Sequence, residues 1–250
     1  MTQFKYAWIP DVPDFRDKPF MLTMPTTPLK SLPLRVDLRP GCPPVENQEN
    51  IGSCTAQALV GALEYNEIRD KTPFADMSRL FLYYNERVIR DTVKVDSGAM
   101  LRDGIKALAK TGCCHEKSWP YVTSKFTSKP PVQCYTEAST KLITSYNRIN
   151  SLDEMRLCLA GGSPFVFGFS VYENFESNEV GKTGVLNMPS KNESMRGGHA
   201  CLCVGYDDLI KQVIVRNSWG PTWGQAGYFM MPYAYIGDKN LADDMWYIKK

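Results

Sequence analysis

The spacing of apolar residues divides the chain into a helical first half and a strand-rich second half. Apolar residues at helical spacing, such as Leu59 and Leu63, predict helices over residues 54–70, 78–90, 99–111 and 153–159. Further on, short apolar runs predict strands over residues 165–171, 199–206, 212–217 and 227–231. Residues 116–135 are rich in proline and serine, and we expect a loop there. Helices followed by strands are typical of the α+β class, here with two lobes.

The N-terminal part of the chain differs from both halves. It is rich in proline and threonine and has few periodic apolar positions, so we expect it to lie over a folded body. We therefore divide the chain into three parts. These are an N-terminal extension or short pro-segment (1–32), a mainly helical lobe (33–140) and a β-rich lobe (141–250) whose C-terminal tail crosses back.

Composition excludes several classes of protein. The chain has 250 residues, 43% of them hydrophobic, and a net charge of +2 without a basic run, so neither nucleic acid nor a membrane is an expected partner. The first residues lack the apolar core of a secretory signal, which favours a cytoplasmic start, although non-classical secretion stays open. With only two histidines and no Cys-x-x-Cys among eight cysteines, we expect no metal site. We expect a monomer.

A candidate nucleophile begins the first predicted helix. Cys54 follows Gly-Ser and precedes a helix-like run, and a thiol at a helix N-terminus is stabilised as a thiolate, its reactive form. Gln48, six positions earlier, could donate its amide to an oxyanion. Taken alone, Cys54 would be better explained as a buried structural cysteine.

The nucleophile needs a base, and the sequence offers two histidines. His199 follows two glycines at the start of a strand, whereas His115 lies in a polar turn and is expected to be a plain loop residue. A cysteine and a histidine that ionise together form a stronger nucleophile. Asn217, at the end of the next strand, is a candidate to orient the imidazole, and Trp219 could shield that hydrogen bond from water.

Three motifs in this order resemble the signature of the papain-like cysteine peptidases. They are Gln48 to Cys54, Gly-His-Ala at 198–200 with Val-Gly-Tyr at 204–206, and Arg-Asn-Ser-Trp-Gly at 216–220. The resemblance covers roughly residues 33 to 247. The run at 8–17 is similar to a divergent microbial and viral branch of the family, which adds a virion-associated location to the cytoplasmic one.

The resemblance implies a two-lobed fold, with a helical left lobe, an antiparallel β-barrel right lobe and a cleft between them. It implies that Cys54 attacks, His199 acts as base and then acid, Asn217 orients it, and Gln48 forms part of an oxyanion hole. The further substrate-binding residues that it implies are Gly98, Ala99, Gly198, Ala200, Trp219 and Asp244.

The expected reaction is peptide hydrolysis through a thioester, without a cofactor, on peptide or protein substrates. The absence of a long insertion that could block the cleft favours an endopeptidase. Two alternatives stay open. The chain could be a scaffold that mainly binds, or it could catalyse another acyl transfer, such as transglutamination or deamidation.

Several positions depart from the family pattern. Ile51 and Val95 stand where the family has a disulfide, as if packing replaced the bridge, and Thr55 replaces an aromatic residue that we expect to line the cleft. Loss of the family bridges favours a reducing compartment, although Cys42 could pair with Cys113 or Cys114.

The two further departures concern the cleft itself. Asp243 and Asp244 lie at the family's main specificity pocket, where they form either an acidic floor for Arg or Lys or a solvated turn. The extension is shorter than the family's helical pro-segment and could partly cover the cleft, with residues 1–32 acting as an inhibitor.

Overall fold

Seven α-helices and seven strands are found in the computed structural model, which describes residues 4–23 and 31–250. The helices are α1 (Cys54–Arg69), α2 (Arg79–Ile89), α3 (Leu101–Lys110), α4 (Val132–Ala138), α5 (Leu152–Ala160), α6 (Asn178–Thr183) and α7 (Tyr233–Ile236). The strands are β1 (Arg35–Asp37), β2 (Ser145–Arg148), β3 (Phe165–Tyr172), β4 (Met195–Asp207), β5 (Gln212–Arg216), β6 (Tyr228–Pro232) and β7 (Ala242–Lys249). The α+β class is thereby confirmed.

Helix α1 is the centre of the helical part. It is buried on almost every side, because it packs against α2 and α3 on one side and against β4 on the other. Ser78 caps α2, since its hydroxyl accepts the backbone N–H of Phe81. The predicted loop over 116–135 is wrong at its end, where α4 begins at Val132 directly after two prolines.

The strands form one antiparallel sheet in the order β2-β7-β3-β4-β5-β6, with β1 added along β4. This path is open at both ends among the described residues, so the predicted closed barrel is wrong. The physical reason is that other chain segments cover the two edges. Pro19 bridges to Arg148 in β2, and Val185 bridges to Met230 in β6, so the two edge strands do not need each other.

Strand β7 was not predicted as a strand, because two adjacent aspartates interrupt its apolar pattern. It nevertheless lies inside the sheet, between β2 and β3, and Asp244 takes a positive φ of 58° at a register shift between Val166 and Gly168. No helix in the described ranges has the length and apolarity needed to cross a membrane. The proposed domain boundaries stay a prediction.

An extended stretch of the N-terminal region, the cleft segment (residues 4–12), lies between α3 and the β3–β4 pair. Trp8 forms a parallel bridge with Ala99, just before α3, and its N–H donates to the carbonyl of Gly198 in β4 at 2.9 Å. The segment therefore joins the helical part to the sheet across the groove between them.

Candidate active site

Helix α1 begins at Cys54, and the thiol lies at its N-terminus as the sequence predicted. The side chain is fully buried, and that burial raises the pKa of Cys54 to about 11, against the opposing effect of N–H groups of Ala200 and Ala7 that face the sulfur. With the cleft segment in place, the thiol is therefore protonated at neutral pH. The effect of burial on the pKa of Cys54 is thus larger than that of the N–H groups around the sulfur.

His199 and Asn217 form the hydrogen bond that the sequence predicted. Nε2 of His199 lies 2.8 Å from Oδ1 of Asn217. Because this oxygen also accepts the N–H of Ser218 at 2.8 Å, it acts as an acceptor, and Nε2 carries the proton. The imidazole Nδ1 is then left as an acceptor, and it has no partner among the described residues.

The environment of the imidazole is dry and aromatic. Trp219 stacks on His199 with ring centroids 5.3 Å apart and 29° between the planes. Burial lowers the pKa of His199 to about 4, although the hydrogen bond to Asn217 acts in the opposite direction. In this covered state, the thiol and the imidazole are therefore both neutral.

The amide of Gln48 is fixed in one orientation. Its Oε1 accepts the hydroxyl of Ser218 at 2.7 Å, so Nε2 points away from Ser218. Nε2 donates to the carbonyls of Ile51 and Lys5, each at 3.2 Å. The position suited to an oxyanion is thus occupied by a carbonyl of the cleft segment.

The cleft segment contacts five of the six predicted substrate-binding residues, namely Gly98, Ala99, Gly198, Trp219 and Asp244, whereas the N–H of Ala200 faces the sulfur of Cys54. Phe4 stacks on Trp219 at 4.0 Å, and the carbonyl of Ala7 accepts the N–H of Ala99 at 3.2 Å. The N–H of Gly98 donates to the hydroxyl of Tyr83 at 3.2 Å, and binding of a substrate by Gly98 stays a prediction. Gly98 has a φ of 71°, and a Cβ there would lie 1.8 Å from the carbonyl oxygen of Ala7. The absence of a side chain at Gly98 therefore leaves space for the cleft segment.

Asp244 lies at the bottom of a pocket beside these residues, with its side chain 1% exposed. The interpretation of these residues as a solvated acidic turn is thus wrong for Asp244, whereas the side chain of Asp243 is 47% exposed. The carboxylate of Asp244 pairs with Arg148 at 2.7 Å and accepts the indole N–H of Trp8 at 3.1 Å. That this pocket accepts Arg or Lys stays a prediction.

The remaining positions singled out in the sequence lie away from the cleft surface. Thr55 is fully buried and donates to Glu86 at 2.8 Å, so it supports α1 from below and does not line the cleft. Ile51 is buried but Val95 is 56% exposed, so packing replaces the family bridge at one end only. Nδ1 of His115 lies against the carboxylate of Glu137, in agreement with a role in the loop.

All eight cysteines are free thiols, so Cys42 is not paired with Cys113 or Cys114. Two polar residues at the site were missed by sequence reasoning, Ser218 beside the amide of Gln48 and Asp11 in the segment. Ser218 stands inside the motif that carries Asn217, which could have indicated it. No sequence pattern indicated that Asp11 is buried and bound by Arg148 at 3.0 Å.

A two-lobed architecture with a thiol, an oriented imidazole and a fixed amide around one cleft defines the class of thiol hydrolases that work through acyl transfer. The chain belongs to the papain family of cysteine proteases, because the sequence model described as papain family cysteine protease matches residues 32–248. Members of this family hydrolyse peptide bonds, so protein substrates are implied.

Known proteins agree with this assignment. The crystal structure of xylellain, a cysteine protease from Xylella fastidiosa, superposes with a TM-score of 0.93 at 46% identity, covering 98% of this chain and 96% of that chain. An uncharacterized peptidase C1-like protein of Acanthamoeba polyphaga mimivirus is 44% identical over 82% of this chain and 69% of its own length. The cathepsin B-like CP2 of Giardia intestinalis is 31% identical, covering 77% and 65%. These likenesses confirm the microbial and viral branch.

Proposed function

We propose that the chain hydrolyses peptide bonds with Cys54 as nucleophile, His199 as base and acid, Asn217 as the group that orients it, and Gln48 as an oxyanion donor. The observation that carries the proposal is the hydrogen bond between Nε2 of His199 and Asn217, which leaves Nδ1 free to exchange a proton with the thiol. The amide of Ala200, next to His199, faces the sulfur, and this supports a proton transfer between the two groups.

The chemistry follows from these positions. The sulfur of Cys54 attacks the peptide carbonyl, its proton passes to His199, and the amide of Gln48 stabilises the oxygen as it becomes negative. The imidazolium then gives its proton to the leaving amine, and a thioester forms. Water, deprotonated by the same imidazole, releases the acid and restores the thiol. An endopeptidase is favoured because the cleft continues on both sides of the thiol, from Trp219 to Asp244.

The described form is, we propose, latent. The cleft segment places the Lys5 carbonyl on the Gln48 amide, the Ala7 N–H against the Cys54 sulfur, and the Trp8 side chain in the pocket above Asp244. A substrate cannot bind until this segment leaves. Release would also return water to the thiol and the imidazole, which favours their ionised forms.

Labelling of Cys54 tests the hydrolase. An E-64-type epoxide should label the chain at one site, and Cys54→Ala should abolish both labelling and cleavage of a peptide library. A library that stays intact with the unsubstituted chain, in spite of labelling, would favour the scaffold that mainly binds. Incorporation of an added amine into the products in place of hydrolysis would favour transglutamination.

A further inference from the structure

The pocket that holds Trp8 is built around a glycine in the middle of a strand. Gly168 lies in β3, paired with Ala200 on one side and Asp243 on the other. A Cβ at Gly168 would lie 1.9 Å from Cε2 and 2.3 Å from Cδ2 of the Trp8 indole. Gly168 does not have a positive φ, so the backbone would allow a side chain there, and the three atoms nearest to such a Cβ all belong to the indole.

A glycine inside a strand needs an explanation, because it weakens the strand by about 0.5–1 kcal/mol relative to alanine. Such glycines often mark a place where a ligand approaches the backbone closely. Here the approaching group is an aromatic ring of indole size. The width of this pocket is therefore set by the absence of a side chain at Gly168.

The floor of the pocket offers one particular hydrogen-bond acceptor. Oδ1 of Asp244 pairs with Arg148 at 2.7 Å, whereas Oδ2 accepts the Trp8 indole N–H at 3.1 Å and the Asp11 N–H at 2.7 Å. Both donors to Oδ2 belong to the N-terminal region. When that region leaves, a buried carboxylate oxygen loses its donors, and an unpaired buried acceptor is costly.

The arginines around this acceptor make binding of a further cation, such as a substrate Arg or Lys, unnecessary for charge balance. Arg148 contacts both Asp243 and Asp244, and Arg102 lies near the same cluster through Asp11, at 4.0 Å. Without Asp11, Arg148 still pairs with the buried carboxylate of Asp244, and Asp243 is 47% exposed to water, so the floor of the pocket already has its cation. A neutral N–H donor on a large flat ring fits this floor better than the charged head of Arg or Lys.

We propose, on the basis of the proposed peptidase function, that this pocket selects tryptophan at the second residue before the scissile bond. Gly168 provides the width for the indole, and Oδ2 of Asp244 accepts its N–H. Trp8 is then a self-ligand that shows how a substrate side chain is bound. Gly168 and Asp244 determine specificity and take no part in bond breaking.

The test uses the full chain carrying Trp8→Gly, which empties the pocket, and fluorogenic dipeptidyl substrates that differ at the pocket residue. The residues compared are tryptophan, benzothienylalanine, leucine and arginine. Benzothienylalanine has the shape of tryptophan, with sulfur in place of the N–H. Loss of one hydrogen bond to a charged acceptor should lower kcat/KM by about tenfold between the first two substrates. Tryptophan should also exceed leucine and arginine.

Gly168→Val in the same background should lower kcat/KM for the tryptophan substrate by at least about tenfold relative to the leucine substrate, because the added methyl groups occupy the place of the ring. Gly61→Ala is the matched control. Its added Cβ would meet its neighbours at 3.5 Å or more, so the ratio of the two rates should not change.

Binding without turnover separates this proposal from the proposed function. Peptides with tryptophan or benzothienylalanine are titrated by calorimetry into the Trp8→Gly chain that also carries Cys54→Ala. Tighter binding of the tryptophan peptide supports the pocket even if no substrate is cleaved, in which case only the peptidase assignment fails. Equal affinities, a preference for leucine or arginine, or an unchanged ratio in Gly168→Val would each overturn the tryptophan pocket.

Discussion

Replacing Trp8 by alanine in the full chain should switch on a peptidase that the cleft segment keeps latent. The side chain of Trp8 is 8% exposed, its indole lies against Gly168, and its N–H donates to Asp244. Trp8 therefore contributes a large apolar surface to the attachment of the segment. After its removal the segment should be attached by the stacking of Phe4 on Trp219, by main-chain hydrogen bonds and by Asp11.

The size of the effect follows from the burial of the ring. Replacing a buried tryptophan by alanine costs about 3–5 kcal/mol, and because only docking of the segment is lost we take the lower value of about 3 kcal/mol. This shifts the ratio of open to covered cleft by about 100-fold, since each 1.4 kcal/mol is a factor of ten. If the cleft of the variant is still mostly covered, its cleavage rate should exceed that of the unsubstituted chain by this factor. If most molecules of the variant are open, the increase in rate is smaller.

The assay is the initial rate on a leucine-containing fluorogenic substrate together with the rate of E-64-type labelling of Cys54. Both rates should rise by the same factor, because both require an open cleft. Phe15→Ala is the matched control on the same N-terminal region, since Phe15 is 99% exposed and contributes nothing to docking. If Trp8→Ala leaves both rates at the values of the unsubstituted chain, the cleft segment does not hold the enzyme latent.

Further predictions concern the groups around the thiol. The pKa of His199, held at about 4 by burial, should rise when the cleft opens, and an NMR titration can follow it beside the signal of His115. Burial raises the pKa of Glu86 to about 8, so its stabilising contribution is full below about pH 4 and is lost as the pH rises through about 8. Glu86→Gln should therefore flatten the decline in unfolding free energy over that interval in urea titrations. Ser218→Ala should lower kcat/KM by about tenfold, because Ser218 orients the amide of Gln48. This loss should be smaller than the roughly 100- to 1000-fold expected for Gln48→Ala. If the two losses are equal, Ser218 does not act by positioning Gln48.

The parts of the fold that the sequence predicted well are those in which local pattern and burial agree. Helix α1 has apolar residues on every face and lies between the other helices and the sheet, and its start at Cys54 was predicted to the residue. Strands β3, β5 and β6, and β4 from His199 onward, are largely apolar runs buried in the sheet, whereas the first four residues of β4 are not. In such segments tertiary packing requires the structure that the local sequence already favours.

The parts that could not be predicted depend on contacts between distant residues. Strand β7 contains Asp243 and Asp244, which are unfavourable in a strand, and the cost is offset by Arg148, a residue far away in the sequence. The path of the cleft segment is likewise determined by Gly98, Gly168 and Gly198, which leave room for it. A single sequence shows these glycines but does not show what occupies the space beside them.

Because the same pocket holds Trp8 and the proposed substrate side chain, a change at Gly168 should affect latency and specificity in opposite directions. In the chain that keeps Trp8, Gly168→Val displaces the indole and so weakens the docking of the cleft segment. Cleavage of the leucine substrate should then rise above that of the unsubstituted chain, while the ratio of tryptophan to leucine cleavage falls. A substitution that only damaged the fold would lower both rates and the melting temperature together. A fall in the leucine rate at an unchanged melting temperature would show that the segment and the substrate do not share this pocket.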